Sequence, residues 1–313
     1  MISCTEFIPS YSELFKYIDH RYGYSAVQAF WTYLFTPDGK GIPLVNFVKE
    51  EGIRGAMHYW MGTLKEEASD VTLMLNEKQG WYKCDMHYCP SKGRLLKLKE
   101  ELGIEPYEHY CDHCDYYRAA LNEGGLDWVY DFTGTDHAAC QAIVFDPKVF
   151  KGVMTVDKDT IIQKYTSSNL EYFHPDFHSS MNMGVEYLGT TYGEDAIYEY
   201  LTQYTKEVYQ KRIAQVCEAG LAAIENMILD TYNKEHAPEA VETVLADDTL
   251  MVNVHWCPAV RHLRNTGREV SRWYPLTTSV VMDTLASECG FAFTMGAYDS
   301  QTGKTSYSFK KVR

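Results

Sequence analysis

Residues 108–117, with the sequence EHYCDHCDYY, hold two cysteines, two histidines and three carboxylates within ten positions. Side chains of these types bind metal ions, act as nucleophiles beside a general base, or exchange electrons through a dithiol. Residues three and four apart on a helix share a face, which predicts that Cys111, Cys114, Asp115 and Arg118 project together. A polar helix surface with buried thiols is the alternative without chemistry.

A metal site is the first interpretation. Cys111 and Cys114, followed by His137 and Cys140, have the pattern C-x2-C then H-x2-C. These are four soft donors of the kind that a tetrahedral zinc ion prefers. If zinc is not bound, no cofactor is expected. Three further residues are alternative ligands: Glu108, Cys89 and His87.

A nucleophilic site is the second interpretation. A thiolate at Cys111 or Cys140 suits attack on a C=N or C=O carbon. His137 would carry the proton, and Asp115 would act as general base or orient the imidazole.

Two residues are candidates for substrate binding. Arg118 could hold a substrate carboxylate through its planar guanidinium, or pair with Asp115 on the surface. His113 is the second substrate-binding candidate, and it could also activate a thiolate. A redox role is the third interpretation. Cys111 and Cys114 have the Cys-x-x-Cys spacing of a thioredoxin motif, but the βαβ context of that motif is missing around them.

Helices are the first elements that must position these side chains. Periodicity and helix-end residues predict helices over residues 12–35, 43–67, 90–103 and 107–123. Pro90, directly after Cys89, suits the first position of its helix, and Gly124-Gly125 ends the last one.

Strands of a small antiparallel sheet are the second kind of element. The strand WYKCDMHY, residues 81–88, alternates its faces, so His87 and Cys89 share one face and Cys84 lies on the other, in the core. The segments LDWVYDF and CQAIVF flank the turn-rich TGTDHA and predict a hairpin, with Cys140 and Ala142 on one side of their strand.

The second half of the chain repeats the order of the first, which indicates a tandem duplication. Tyr22-Gly23 returns as Tyr192-Gly193, and Cys89-Pro90-x4-Leu95 returns as Cys257-Pro258-x4-Leu263. The recurrence of Cys89 favours a structural role for it. At the positions of YCDHC in the first copy, the second copy has YPLTT, so the reactive residues belong to the first copy alone.

Three segments follow from this repeat. Residues 1–147 form the first repeat and carry the Cys/His/Asp site, residues 148–186 are a crossover or lid, and residues 187–313 are a second, degenerate repeat that serves as scaffold or pocket wall. His174 and His178 have helical ligand spacing, but Pro175 between them argues against a helix.

Charge and cysteine content limit the function and the location. A formal net charge of -14 without a basic stripe argues against nucleic acid and against a membrane as partner. Without a signal peptide or an apolar run of roughly 20 residues, a cytoplasmic location is expected. There, nine cysteines are better explained as thiols, ligands or nucleophiles than as a disulfide framework. The expected partner is a small-molecule substrate, and a homo-oligomer is left open.

Residues 81–146 resemble the L-2-amino-thiazoline-4-carboxylate hydrolase family in the order of their motifs. A Cys-Pro motif comes first, then Tyr-Cys with a later Asp, then Gly and a Cys that enters a strand of the form Cys-x-x-x-Val-Phe. The resemblance implies hydrolytic opening of a cyclic C=N compound, with Cys111, Asp115 and Cys140 at the family's Cys, Asp and Cys positions. The chain differs in having Cys114, a longer interval from Gly134 to Cys140 and a second copy.

Glu108 and Cys111, with a later cysteine on a terminal strand, are also similar to vinyl-reductase-type small-molecule sensor domains. That weaker similarity implies zinc held by cysteines and a glutamate beside a pocket for an aromatic ligand.

The sequence therefore predicts an α+β protein of tandem-duplicated units, each with helices plus a small antiparallel sheet, packed as a pseudo-dimer. The leading hypothesis for its function is a hydrolase that opens a small cyclic or amide-like C–N bond with a Cys thiolate or a Cys/His-bound metal. The alternatives are a small-molecule binding or sensor protein with a structural zinc site, and a redox or ring-modifying enzyme.

Overall fold

The chain forms two compact units in a computed structural model that describes residues 1–36 and 42–312. The first unit is continuous and comprises Ile18–His174, whereas the second unit combines Met1–Tyr17 with Pro175–Arg313. The change of unit after His174 falls inside the predicted crossover 148–186. Helix α1, Phe7–Tyr22, contains the change at Tyr17.

The first unit has helices that flank a five-stranded antiparallel sheet. Its further α-helices are α2 Tyr24–Leu34, α3 Leu44–Glu51, α4 Ile53–Glu66, α5 Pro90–Leu102 and α6 Tyr117–Glu123. Its strands are β1 Asp70–Asn76, β2 Trp81–Tyr88, β3 Asp127–Asp131, β4 Cys140–Phe145 and β5 Ile161–Tyr165, in the spatial order β3-β4-β2-β1-β5. Short 3-10 helices are Tyr110–Tyr116, Thr135–His137 and Ser167–Asn169.

Glycines divide two of the predicted helices. The prediction of one helix over 12–35 is wrong, because Gly23 separates α1 from α2 with φ 86°. The helix predicted over 43–67 is likewise two helices, α3 and α4, separated by Gly52 with φ 59°. Glycine adopts positive φ without the steric cost that a Cβ adds, so each position can turn the chain between helices.

The core of the first unit lies between α4 and the sheet. The indole of Trp60 on α4 stacks on Tyr82 of β2 and on Trp128 of β3, at centroid distances of 5.8 and 5.5 Å. Cys84 joins this cluster and is 8% exposed, which confirms its predicted place in the core. Each large apolar side chain buried here stabilises the unit by about 1.5–3 kcal/mol.

Two predictions for the connecting segments are corrected. The helix predicted over 107–123 is a 3-10 helix, Tyr110–Tyr116, that continues as α6. The segment 148–186 is more than a surface crossover, because β5 pairs with β1 from Val71↔Tyr165 to Leu75↔Ile161. Helix α7, Phe177–Thr191, begins two residues after Pro175.

The second unit has a four-stranded antiparallel sheet in the spatial order β6-β7-β9-β8. Its helices are the 3-10 helix Cys4–Glu6, α7 Phe177–Thr191, α8 Glu194–Val208, α9 Gln210–Ala219, α10 Leu221–Lys234, the 3-10 helix Pro238–Ala240, α11 Pro258–Asn265 and α12 Leu276–Glu288. Its strands are β6 Val241–Ala246, β7 Thr249–Val254, β8 Phe291–Met295 and β9 Thr305–Lys311.

Four strands follow the same order in the two units. The strand order β6-β7-β9-β8 corresponds to β1-β2-β4-β3 in the first unit, where β5 is an addition at the β1 edge. Gly193 and Gly220, with φ 93° and 71°, lie at helix junctions like those of Gly23 and Gly52. The α+β class with two small antiparallel sheets is confirmed, whereas the tandem duplication and the pseudo-dimer packing remain predictions.

Two cysteines depart from the expectation of free thiols. Cys217 on α9 and Cys289 after α12 form a disulfide across 72 positions of sequence. As for membranes, none of the helices within residues 1–36 and 42–312 combines the length and apolar character needed to cross a bilayer.

Candidate functional site

The 3-10 helix Tyr110–Tyr116 decides which reactive residues share a face. With three residues per turn, side chains at i and i+3 eclipse one another. Cys111 and Cys114 therefore form one column, and Asp112 and Asp115 form another. The predicted common face of Cys111, Cys114, Asp115 and Arg118 used the spacing of an α-helix, and in the 3-10 helix Asp115 lies outside the cysteine column.

The cysteine column belongs to a larger set of sulfur atoms, which we call the thiol group. Its members come from the start of α5, the 3-10 helix and the start of β4: Cys89, Cys111, Cys114 and Cys140. Burial raises the pKa of Cys114 well above its usual range, and the three other thiols raise it further. The Tyr130 hydroxyl donates a hydrogen bond of 3.1 Å to the Cys140 sulfur.

Cys89 connects α5 to the loop before β4. Its sulfur caps α5 by accepting a hydrogen bond from the Lys92 backbone N–H at 3.5 Å, and its own N–H donates to the Ala138 carbonyl at 2.5 Å. Burial raises the pKa of the Cys89 thiol, and neighbouring Cys140 adds to the effect. These contacts fit the structural role predicted for Cys89.

Within the thiol group, Cys111 is the side chain whose pKa is lowered by the charge of Lys92. Burial raises its pKa, Lys92 lowers it, Cys140 raises it, and the net pKa is about 11. Almost all Cys111 side chains are therefore protonated at neutral pH, whereas nucleophilic attack requires the thiolate.

The histidines of the predicted site lie in different surroundings. His113 donates from Nδ1 to the Tyr110 carbonyl, and its Nε2 lies 3.7 Å from the Cys114 sulfur. Burial lowers the pKa of His113 to about 4, so the ring is neutral at pH 7. His137 is exposed at the end of the 3-10 helix Thr135–His137.

The alternative zinc ligands differ in location. His87 is exposed, bonds Thr72 at 2.8 Å, and alternates along β2 with the core-facing Cys84. The Glu108 side chain is 79% exposed and lies 3.7 Å from His109. Of these alternatives, the structure brings only Cys89 together with the thiols.

Arg118 binds two carboxylates of its own chain. Its Nη2 donates to Asp115 at 2.9 Å, and its Nη1 donates to Asp127 at 2.8 Å and to the Trp128 carbonyl at 2.7 Å. The Trp128 indole also donates to Asp115 at 3.1 Å. Asp115 therefore accepts hydrogen bonds from framework groups, where the sequence had predicted a base or orienting group.

The carboxylate column borders a cleft of about 710 Å³ in the first unit. Its lining comes from one face of α2 and the residues after it, from the 3-10 helix and α6, and from the residue after β3: Tyr24, Gln28, Thr32, Phe35, Thr36, Asp112, Asp115, Tyr116, Arg118, Ala119, Asn122 and Phe132. Asp112 accepts from the Tyr24 hydroxyl at 3.2 Å and lies 3.0 Å from His109 Nδ1. Partial burial and the Asp112 charge raise the pKa of Tyr24 to about 12.

A compact group of metal-binding residue types lies in the second unit. Within residues 1–36 and 42–312, the three-member set whose donor atoms all lie within 4.8 Å of one another is Cys4, His178 and Glu235. The predicted set Cys111, Cys114, His137 and Cys140 is not drawn together to that degree among these described residues. Burial tends to raise the pKa of Glu235, but His178 and several hydrogen bonds lower it to about 2.

No local sequence motif indicates this group. Cys4 and Glu235 are 231 positions apart, and His178 and Glu235 are 57 apart, so no motif spacing connects them. Pro175 correctly predicts that His174 and His178 do not share a helix, but α7 begins at Phe177 and includes His178.

Comparison of the chain with protein-family models, curated proteins and solved structures finds no match. The resemblance to the amino-thiazoline carboxylate hydrolases therefore stays an expectation from short motifs.

Proposed function

We propose that the protein binds a small organic cation, an amine or amidine with an apolar body, in the cleft of the first unit. The observation that supports this function is the division of the 3-10 helix Tyr110–Tyr116 into two columns. Carboxylates border the cleft, and thiols lie with Tyr130 and Cys140 of the sheet. The proposal belongs to the class of small-molecule binding or sensor proteins.

The charges of the cleft favour a cation. Two carboxylates and one guanidinium line it, and that guanidinium already binds Asp115 and Asp127. A ligand carboxylate would have to displace one of these partners and would approach Asp112. A ligand ammonium would gain attraction from Asp112, whose Oδ2 already bonds Tyr24 and His109, without displacing the ion pairs of Arg118.

The walls of the cleft favour an apolar or aromatic body on the ligand. Phe35 and Phe132 supply apolar surface, and Tyr116 packs against Trp31 at a centroid distance of 5.4 Å. The faces of aromatic rings attract cations, by about 0.5–2 kcal/mol per contact depending on desolvation.

A metal ion bound by the thiol group would hold the 3-10 helix in place, and this helix carries the carboxylates that border the cleft. Burial opposes the ionisation of all four sulfurs, and neighbouring thiols add to this for Cys89, Cys111 and Cys114. Such thiols release their protons when a soft divalent ion binds them. We propose zinc at Cys89, Cys111, Cys114 and Cys140, with Cys89 in the place of exposed His137. No three of these four sulfurs, all in the described part of the chain, lie within 4.8 Å of one another, so the ion would have to draw them together.

A matched pair of ligands tests the cleft. Isothermal titration with phenethylamine should show binding, whereas 3-phenylpropanoate, of similar size and opposite charge, should not bind. Asp112→Asn keeps the shape and removes the charge, and should weaken phenethylamine binding about tenfold, or about 1.4 kcal/mol. Asp195→Asn, an exposed substitution on α8, is the control and should leave affinity unchanged. Equal binding of both ligands, or unchanged affinity in Asp112→Asn, would contradict the proposal.

A hydrolase is the second candidate, supported by Lys92, whose charge favours the thiolate of Cys111. The test is turnover of L-2-amino-thiazoline-4-carboxylate by the protein and by its Cys111→Ser and Cys140→Ser variants. Turnover that is lost in one or both variants supports a catalytic thiol. Turnover that both variants retain, or no turnover by the parent protein, rejects it.

A further inference from the structure

The donor group in the second unit is formed by three separate parts of the chain. Cys4 begins the 3-10 helix Cys4–Glu6, His178 is in the first turn of α7, and Glu235 directly follows α10. Their relative exposures are 1%, 2% and 5%, so all three are buried. We propose that this group is a binding site for zinc or a similar soft divalent cation.

The donor types favour that class of ion. A thiolate, an imidazole and a carboxylate are the ligands that zinc accepts in tetrahedral sites, whereas calcium and magnesium prefer oxygen ligands alone. With a neutral imidazole, the thiolate and the carboxylate together carry two negative charges, which a divalent cation balances.

The distances lie close to those of a tetrahedral site. His178 Nε2 and Glu235 Oε2 are 2.9 Å apart, and all donor atoms of the group lie within 4.8 Å of one another. Zinc bonds of about 2.0–2.1 Å at tetrahedral angles place N and O roughly 3.3 Å apart. The imidazole and carboxylate would therefore separate by about 0.4 Å to admit the ion.

Neighbouring groups already orient the ligands. Glu235 Oε1 accepts the Cys4 backbone N–H at 2.6 Å, which leaves Oε2 directed to His178. The second ring nitrogen of His178, Nδ1, lies 3.5 Å from the Tyr274 hydroxyl. Partners of this kind on the non-coordinating atoms are typical of metal sites and hold the ligand rings and carboxylates in position.

A buried His–Glu ion pair explains two of the three residues without a metal. It does not explain why a cysteine is the third member, or why the cysteine's own N–H fixes the carboxylate. The two interpretations differ in a measurable way, because a structural pair gives no thiolate–metal bond.

Cobalt spectroscopy on the full chain tests the site. The background is the Cys111→Ser/Cys140→Ser variant, which removes two sulfurs of the thiol group and so separates this test from the zinc proposal there. The protein is unfolded, freed of metal and refolded with Co²⁺, so that closed packing does not block entry. We expect one equivalent of Co²⁺ with thiolate-to-cobalt charge-transfer absorption in the near ultraviolet.

Substitutions in this background assign the absorption to the group. Cys4→Ser should abolish the charge-transfer band, and Glu235→Gln and His178→Gln should weaken binding at least tenfold. Two controls should retain the band: Cys84→Ser, a buried thiol of the first unit, and His262→Gln, whose ring lies 6.5 Å from that of His178. As a second readout, Zn²⁺ should raise the melting temperature of the wild-type protein more than that of Cys4→Ser. No band in the background variant, or a band that survives Cys4→Ser, would overturn the proposal.

Discussion

Cys111 experiences opposing influences on its thiol. Burial raises its pKa, and the Lys92 ammonium works in the other direction. The balance between these two effects sets the pKa, and so decides whether Cys111 is a nucleophilic thiolate or a thiol that loses its proton only when it binds a metal.

We predict slow alkylation of Cys111 at pH 7, with a rate that rises as pH approaches the pKa of about 11. Lys92→Met removes the charge that lowers this pKa, so it should leave less thiolate and slow the reaction at each pH below 11. Lys97→Met, an exposed change on the same helix, is the control. Mass spectrometry after iodoacetamide treatment measures the rate. A fitted pKa below 8 would contradict the prediction and favour the hydrolase.

At the residue scale, sequence patterns predict the strand face of a side chain better than its long-range partners. The alternation of β2 correctly placed Cys84 in the core. It could not show that Arg118 is bound by Asp127 as well as Asp115, because the position of β3 beside α6 depends on the folded core. The pairing of His178 with Glu235 is likewise a product of tertiary structure.

Among the elements, the 3-10 helix Tyr110–Tyr116 has the largest effect on the candidate site. Residue patterns predict a helix there, but they do not distinguish 3.0 from 3.6 residues per turn. Tyr116 contacts Trp31, and Tyr117 contacts Phe35 at a centroid distance of 4.7 Å. The sequence therefore predicted the helix but not its faces.

Arg118 holds this helical segment to β3, and its removal should destabilise the first unit. Arg118→Met leaves Asp115 and Asp127 without their cation, and we expect a loss of about 1–2 kcal/mol in the free energy of unfolding, because the side chain is partly exposed. Lys49→Met is the matched control, since its pair with Glu123 is 3.6 Å long and half exposed, and should cost no more than about 0.5 kcal/mol. Urea denaturation measures both. Equal losses would show that the Arg118 contacts add no stability.

The close approach of α3 and α4 requires a glycine at position 55, which has no side chain. A Cβ on Gly55 would lie 2.0 Å from the Phe47 carbonyl oxygen, and backbone cannot move aside as easily as a side chain. We expect Gly55→Ala to lower the free energy of unfolding by about 1–3 kcal/mol or more. Gly62→Ala lies on the same helix with nothing within 4 Å, and should instead stabilise it by about 0.5–1 kcal/mol. Thermal melts of the two variants should therefore shift in opposite directions, and parallel shifts would be evidence against the close approach.

Across the whole molecule, the sequence repeats were enough to predict that the two halves contain strands in a similar order. The repeated Cys-Pro and Tyr-Gly motifs indicated two similar halves, and four strands of each sheet follow the same order, with β5 added in the first unit. The division of the chain was harder to predict. Residues 1–17 belong with 175–313, because contacts made by the first segment, such as the Tyr200 hydroxyl to the Ser10 carbonyl at 2.8 Å, are long-range.

The disulfide between Cys217 and Cys289 should make the stability of the second unit depend on redox conditions. A crosslink over 72 positions restricts the unfolded chain, and its reduction should cost about 2–4 kcal/mol. Denaturation with and without a phosphine reductant measures the difference. A Cys217→Ser/Cys289→Ser variant should match the reduced protein and show no response to the reductant. A reductant effect in that variant would assign the change to another group.

The discontinuity of the second unit sets an order of events during synthesis. A ribosome makes Met1–Tyr17 before the rest of the second unit, which begins again at Pro175. At about 5–20 residues per second, the segment waits roughly ten to thirty seconds for them. The intervening Ile18–His174 has its own sheet and core, so it can become compact in that interval. Met1–Tyr17, although made before the rest of the second unit, is then among the last segments to reach its native contacts, and a chaperone that shields an apolar segment would act during that wait.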